Sequence, residues 1–252
     1  METVSRALEI LKALAASPLR VQDIADRLGV HKSTASRLLA TLQRHGFVRL
    51  NNRREYELGY AVFELAHALR ERLDVRTVAR PHLEALWEII GETIHLAVLD
   101  GTEIVYLDKI DSRHPVRMYS RIGKRASSYC TGVGKAILAY LPPKELEQTL
   151  KAITFKRFTE RTITDPVQLA EELAQVRSCG IAWDRGEHEP GIYCIGAPIF
   201  DFSDQVVAGI SISVTTSRNP FEVLDGYREL LTKTAQAVSR DLGYVKAWPP
   251  KV

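Results

Sequence analysis

Apolar residues in the first sixty positions recur at spacings of three and four, which is the period of an amphipathic helix. The pattern predicts three successive helices, one that ends at Ser17-Pro18, one in the segment 21–30 and one in the segment 31–46. The second and third helices are separated only by about Gly29 to His31. Two short helices across so tight a turn are typical of a helix-turn-helix.

After Gly46 the apolar pattern changes from the period of a helix to the alternation of short strands. Residues 47–50 and 55–58 fit two such strands, and Asn51-Asn52 between them is a favourable turn pair. The hairpin carries Arg53 and Arg54 at its tip. Three helices followed by a basic hairpin predict the winged variant of the helix-turn-helix.

The outward face of the third helix is polar near its N-terminal end, where a recognition helix presents side chains to DNA. An ordinary solvated helix face is the competing interpretation, and the wing that follows favours DNA. Arg37 has the geometry to bind guanine through two hydrogen bonds. With the wing, the predicted DNA-binding residues are Lys32, Ser33, Thr34, Ser36, Arg37, Arg53 and Arg54.

The charge distribution supports this prediction. The 252-residue chain has a formal net charge of only +3. Residues 1–60, however, hold ten Lys and Arg against six Asp and Glu, whereas the remainder holds 24 against 25. Because basic side chains neutralise phosphates and release counterions, nucleic acid is a reasonable partner for the first quarter of the chain.

The segment 60–72 is predicted to be a linker helix with an apolar stripe. Two partners for that stripe remain open, a second copy of the chain and other parts of the same chain. A further helix over 75–90 contains Pro81, which predicts a break or kink near its start.

The rest of the chain mixes helices with hairpins instead of alternating strand and helix strictly. This order predicts an α+β domain with a mainly antiparallel sheet. The predicted strands are 93–99, 103–108, 117–120, 196–201 and 206–214, and the predicted helices are 132–141, halted by Pro142-Pro143, 166–179 and 222–242.

Several fragments suggest catalysis but lack essential parts. The run 132–135 lacks the first glycine and the hydroxyl residue of a phosphate-binding loop. Cys194 follows His188 by six residues, yet no orienting third group is evident. Residues 187–189 supply too few ligands for a metal site. The sequence therefore predicts no catalytic residue, no cofactor and no metal.

Cysteine usage and hydropathy indicate the compartment. Three cysteines without a CxxC pair favour a reducing cytoplasm. No apolar run approaches the roughly 20 residues that cross a bilayer, so no membrane partner is expected.

A long gapless pattern in the C-terminal half resembles the signature of the IclR family of bacterial transcriptional regulators. Its spaced elements are Gly180, Asp184, Glu187, Cys194, Ile195, Gly196, Ile199, Phe200 and Asp201. The resemblance extends across essentially the whole chain, from Ser5-Arg6-Ala7-Leu8 to the last helix. Within the family, the segment 109–123 is most similar to the branch that senses 2-keto-3-deoxygluconate.

The resemblance implies a C-terminal effector domain similar to GAF and profilin folds, dimers that often pair into tetramers, and small organic acids as ligands. Amides at the start of the 132–141 helix would bind the ligand carboxylate. Carried over by position, the effector-binding residues are Met118, Gly132, Val133, Asp184, Cys194, Ser211 and Ser213.

These observations predict three parts: a winged helix-turn-helix over 1–60, a linker helix over 61–75 and an effector and oligomerisation domain over 76–252. The expected function is a ligand-responsive regulator, expected to be a repressor, of carbon-compound catabolism that binds an operator in double-stranded DNA and a sugar or keto acid. Two alternatives are a DNA-binding protein whose C-terminal domain only oligomerises, and a keto-acid enzyme with a vestigial DNA domain.

Overall fold

The structure is a computed structural model that describes residues 2–70, 74–114, 118–215 and 219–250, apart from the side chains of residues 67, 69 and 70. The chain divides into two compact units, Met1–Leu73 and Asp74–Val252. The helix that the sequence predicts as a linker belongs to the first unit.

The N-terminal unit consists of helices with a short hairpin, as the apolar pattern predicts. Its elements are α1 (Glu2–Ala16), α2 (Val21–Leu28), α3 (Lys32–Arg44), β1 (Val48–Leu50), β2 (Tyr56–Leu58) and α4 (Tyr60–Arg70). Gly29 ends α2 in the left-handed conformation, with φ of 62°, which is why glycine suits this turn. Ile10, Ile24 and Leu39 are fully buried and join α1, α2 and α3 in one core.

The C-terminal unit mixes helices and strands. Its elements are α5 (Val75–Ile90), β3 (Thr93–Asp100), β4 (Glu103–Ile110), β5 (Arg125–Ser127), α6 (Gly132–Leu138), α7 (Pro143–Ala152), α8 (Pro166–Cys179), β6 (Ala182–Asp184), β7 (Ile192–Phe200), β8 (Val206–Thr215) and α9 (Pro220–Asp241), with a short 3₁₀ turn at Ser128–Cys130.

The strands form one antiparallel sheet in the order β5–β4–β3–β8–β7–β6. The central strands β3 and β8 are buried at consecutive positions, not at alternate ones, which shows that both faces of the sheet are covered. Helices α5 and α9 pack against each other and against the sheet, and α6 packs over its strands. The predicted α+β class with an antiparallel sheet is confirmed.

The N-terminal end of α6 lies directly on strand β7. A Cβ atom added at Gly196 would stand 2.3 Å from the carbonyl oxygen of Gly132, closer than real Cβ contacts. Glycine at position 196 therefore lets the helix backbone approach the strand. Further along α6, Val133 and Ile137 pack with Ala97 of β3.

Two sequence predictions about this unit are wrong, and a third is wrong in part. The helix α5 is continuous across Pro81, so of the predicted break or kink the break is absent. Residues 118–120 form a loop and not a strand, because β5 takes the position beside β4; Arg117, also assigned to that strand, lies outside the described residues. The α6 helix ends at Leu138, three residues earlier than predicted.

Besides strand β5, two further elements of this unit were not predicted. Pro143 begins helix α7 instead of only stopping the preceding one, since proline suits the first turn of a helix. The edge strand β6 is only three residues long, too short for an alternating pattern to be recognised.

Candidate functional site

The first candidate site is the exposed face of α3. Ser33, Ser36 and Arg37 are exposed near its N-terminal end, as is Lys32, and Thr34 is half-buried. His31 caps the helix by accepting the N–H of Ser33 at its Nδ1, 3.3 Å away. This cap, which sequence reasoning missed, fixes the end of the helix where the predicted DNA contacts begin.

The second candidate site is the wing, defined as the hairpin Val48–Leu58. Asn51 closes its turn by accepting the backbone N–H groups of Arg53 and Glu55 at 2.9 and 3.0 Å. Arg54 adopts a positive φ of 58°, and both Arg53 and Arg54 are exposed. Two guanidinium groups thus stand at the tip of a tightly hydrogen-bonded turn, available for phosphate.

The third candidate site is a cavity in the C-terminal unit, called here the central cavity. All seven residues carried over from the family resemblance line this one cavity, together with His95, Tyr106, Ser120, Lys124, Ala126, Thr131, His188, Glu189 and Ile192. The structure therefore brings together residues that span almost one hundred positions of sequence.

Strand register explains how the polar cavity residues converge. Asp184 of β6 lies opposite Cys194 of β7, which lies opposite Ser213 of β8. Residues in register on neighbouring strands point to the same face of a sheet. Two residues from Ser213 along β8, and so on the same face of the sheet, Ser211 is paired with His95 of β3. The short edge strand β6 is thus what delivers the Asp184 carboxyl group to the cavity.

Asp184 is the most strongly perturbed acid of the cavity. Its side chain is buried, and Oδ1 accepts the backbone N–H of Glu187 at 2.7 Å. Burial raises the pKa of Asp184 to about 7, an effect that its backbone hydrogen bonds only partly offset. Near neutral pH this carboxyl group can therefore both donate and accept a hydrogen bond.

His95 is a cavity residue that sequence reasoning missed. Its Nε2 lies 2.7 Å from Oγ of Ser120 and its Nδ1 lies 3.4 Å from Oγ of Ser213. Burial lowers the pKa of His95 to about 3, so the imidazole is neutral. The available signal in the sequence was a histidine within the apolar run of β3. That histidine is recognisable as a cavity residue only once β3 is paired with β8.

The cysteines of this region are poor nucleophiles. Cys194 accepts a hydrogen bond from Oγ of Ser213 at 3.0 Å, and burial raises the pKa of its thiol well above the usual range. Burial likewise raises the pKa of Cys130, whose Sγ lies 3.5 Å from Nδ1 of His188. Since the thiolate is the reactive species, neither thiol is activated as a nucleophile in this arrangement.

Within residues 2–70, 74–114, 118–215 and 219–250, no three His, Cys, Asp or Glu residues are grouped so as to hold a metal ion. In the same ranges no helix combines the length and the apolar character that a membrane span needs.

The winged helix-turn-helix and the polar cavity define a class of protein, a DNA-binding transcriptional regulator with a separate C-terminal unit. Comparison with known proteins specifies the class further. Residues 3–51 match the IclR helix-turn-helix domain, and residues 67–240 match the bacterial transcriptional regulator IclR C-terminal family. The chain belongs to the IclR family of bacterial transcriptional regulators.

Relatives match over nearly the whole chain. The HTH-type transcriptional regulator XynR of Escherichia coli is 37% identical over 97% of this chain and 98% of its own. The regulator KdgR of the same organism is 38% identical over 97% of this chain and 94% of its own. The crystal structure of the Agobacterium tumefaciens repressor BlcR superposes with a TM-score of 0.84 at 31% identity, covering 97% of this chain and 98% of that one.

Proposed function

We propose that this regulator is a repressor of catabolic genes that releases or engages its operator in response to a small sugar acid or keto acid bound in the central cavity. The observation that carries the proposal is the convergence of all seven predicted effector residues on that one cavity. The resemblance of the segment 109–123 to the 2-keto-3-deoxygluconate branch makes that sugar acid the first candidate.

The chemistry of the cavity suits a hydroxylated carboxylate. The first N–H groups of a helix have no partner within the helix, and Thr131 Oγ1 takes the N–H of Gly134. The N–H groups of Gly132 and Val133 remain available for a carboxylate, and the basic residue Lys124 also lines the cavity. Asp184, Ser211 and Ser213 offer partners for the hydroxyl or keto groups.

The raised pKa of the Cys194 thiol argues against a thiol nucleophile in the cavity, and the family is one of transcriptional regulators. We therefore assign the cavity no catalytic residue and no cofactor, and the reducing cytoplasm is the compartment that fits a regulator with three free cysteines.

A homodimer, alone or paired into a tetramer, is the assembly that the proposal requires. Operators are usually two-fold symmetric, and each recognition helix occupies one half-site. On α4 the apolar side chains of Tyr60 and Phe63, three residues apart on one face of the helix, are 71% and 73% exposed. A second copy of the chain would cover these side chains and bring two recognition helices to successive major grooves.

A gel-shift titration on the DNA upstream of the protein's own gene, with and without 2-keto-3-deoxygluconate, tests the proposal. A specific shift that the sugar acid changes at sub-millimolar concentration supports both the site and the ligand. Asp184→Ala should keep the shift and lose the response, whereas the exposed Asp225→Ala control should keep both.

Other results separate the alternatives. A specific shift that no member of a carboxylate panel changes would favour a domain that only oligomerises. Turnover of a keto acid would indicate an enzyme. Loss of DNA binding by Asp184→Ala with full ligand affinity would overturn the division of labour between the two units.

A further inference from the structure

The exposure of the cavity residues shows where the central cavity opens. Its interior residues, such as His95 and Ser211, are buried. The lining residues that retain exposure are Ser120 and Lys124 on one side and His188, Glu189, Ile192 and Cys194 on the other. The opening therefore lies between the segment 118–124, called here the lid segment, and the start of β7.

The space behind this opening is small. The central cavity encloses about 50 Å³, whereas pockets for small organic ligands usually measure roughly 300–1,000 Å³. A six-carbon acid therefore requires part of the wall to move. The sheet strands and α6 are constrained by backbone pairing and by the close approach at Gly196. The turn before β7 is held at Glu187 by Lys135 and by Thr162, so the lid segment is the wall that can yield.

Lys109 attaches the lid segment to the sheet. It lies on β4 opposite His95 of β3, and its side chain is only 9% exposed. The Nζ atom donates to the carbonyl oxygens of Met118 and Ser120 at 3.0 and 2.8 Å, and it also pairs with Asp111 at 2.8 Å. One nearly buried ammonium thus spans Tyr119 and fixes two residues that line the cavity.

Further contacts hold the same segment closed but are neutral or internal to it. Oγ of Ser120 lies 2.7 Å from Nε2 of His95. The N–H of Gly123 donates to the carbonyl oxygen of Tyr106 at 2.8 Å. Nζ of Lys124 donates to the carbonyl oxygen of Tyr119 at 3.1 Å, within the lid segment itself. Because hydrogen bonds from a charged donor are stronger than neutral ones, Lys109 dominates among these contacts.

We infer that residues 118–124 form a lid over the central cavity and that Lys109 is the positioning residue that holds this lid shut. Lys109 itself is not among the residues that line the cavity, so it acts through Met118 and Ser120. The inference rests on the proposed function only for the identity of the ligand. The lid itself is a property of the free protein and can be tested without an effector.

Cys194 is half-buried at the rim, but its thiol is enclosed inside the cavity, where it accepts a hydrogen bond from Ser213, and it serves as a reporter of lid opening. The full-length protein carrying Cys179→Ser, which removes an exposed thiol, is treated with N-ethylmaleimide, and modification of each cysteine is followed by peptide mass spectrometry. Lys109→Met should increase the rate at Cys194 by about tenfold or more, because it removes two charge-assisted hydrogen bonds. Cys130, buried and outside the cavity lining, provides the internal reference.

Matched variants and hydrogen exchange make the result decisive. Lys151→Met removes an exposed ammonium of the same unit and should leave the labelling rates of Cys194 and Cys130 unchanged. Lys109→Arg keeps a cation at position 109 and should label at Cys194 as slowly as the protein with Lys109. Amides of Gly123 and Lys124 should exchange faster in Lys109→Met, with those of β8 unaffected. An unchanged rate at Cys194 overturns the inference, as does equal acceleration at Cys130 together with faster exchange in β8, which would indicate general loosening.

A parallel measurement keeps the lid distinct from the ligand. 2-Keto-3-deoxygluconate should slow labelling of Cys194 in the Cys179→Ser protein and dissociate faster from Lys109→Met. Faster labelling in Lys109→Met without any protection by the sugar acid would support the lid and contradict the proposed ligand.

Discussion

The ammonium of Lys135 lies 2.7 Å from Oε1 and 2.9 Å from Oε2 of Glu187, and both side chains are almost completely buried. Lys135 also donates to Glu172 at 3.1 Å, and Glu172 in turn accepts from the half-exposed Arg185 at 2.8 Å. Since the N–H of Glu187 binds Asp184, this charge network is joined directly to the central cavity.

We expect Lys135→Met to lower the free energy of unfolding by about 3–5 kcal/mol, because it leaves the buried carboxylate of Glu187 without its cation. Urea denaturation followed by circular dichroism measures the change. The control Lys151→Met removes one partner of an exposed pair with Glu147 and should cost less than about 1 kcal/mol. Equal effects of the two variants would contradict a structural role for the buried pair.

The pH dependence of stability should report Asp184. Its pKa in the folded protein is raised to about 7, above the roughly 3.9 of an unfolded chain. The folded state therefore binds this proton more tightly. The contribution of Asp184 is fully present below about pH 4 and is lost as the pH rises through 7.

Asp184→Asn removes this titration while keeping an oxygen that accepts the N–H of Glu187. The variant should be more stable than the wild type at pH 8, by up to about 4 kcal/mol, and the difference should shrink towards pH 4. Thermal unfolding across pH 4–8 measures it. The pKa of His95 is lowered to about 3, so its contribution to stability is lost as the pH falls. This contribution is the same in the wild type and in Asp184→Asn, and it cancels in the difference between them. A difference that does not vary with pH would contradict the assignment.

Local patterns predicted the N-terminal unit well, since each helix and the wing depend on the spacing of neighbouring residues and on glycine at their ends. The C-terminal sheet was predicted less completely. Nothing local to residues 117–120 shows that β5 pairs with β4 in their place. Proline at 143 is compatible with both stopping and starting a helix.

The cavity residues were likewise predictable from the sequence only in part. Its signature residues were found because a long motif contains them, but His95, Tyr106 and Lys124 come from separate elements that only the fold brings together. The pair of Lys135 and Glu187 is 52 positions apart, and sequence spacing alone gave no reason to connect the two residues.

The tip of the wing should contribute charge to DNA binding without reading sequence. Arg53 and Arg54 are exposed, and the turn that carries them is closed by Asn51. Changing both to Gln should weaken binding to every duplex to a similar extent. The slope of log affinity against log salt should become shallower by roughly 1.8, about 0.9 for each phosphate that the variant no longer neutralises. An unchanged slope in a filter-binding titration would show that the wing does not touch the backbone.

Arg37 should instead carry sequence discrimination. Its side chain is exposed on α3, whose buried face is fixed by Ala35 and Leu39, so Arg37→Ala removes an interaction with DNA without disturbing the core. We expect specific binding to weaken by roughly 1–3 kcal/mol, while binding to unrelated DNA falls much less. Fluorescence anisotropy on both duplexes measures the ratio, and Lys12→Ala on α1, which also removes one exposed cation, is the matched control. Equal losses on the two duplexes would place Arg37 at a phosphate and leave another residue of α3 to read the bases.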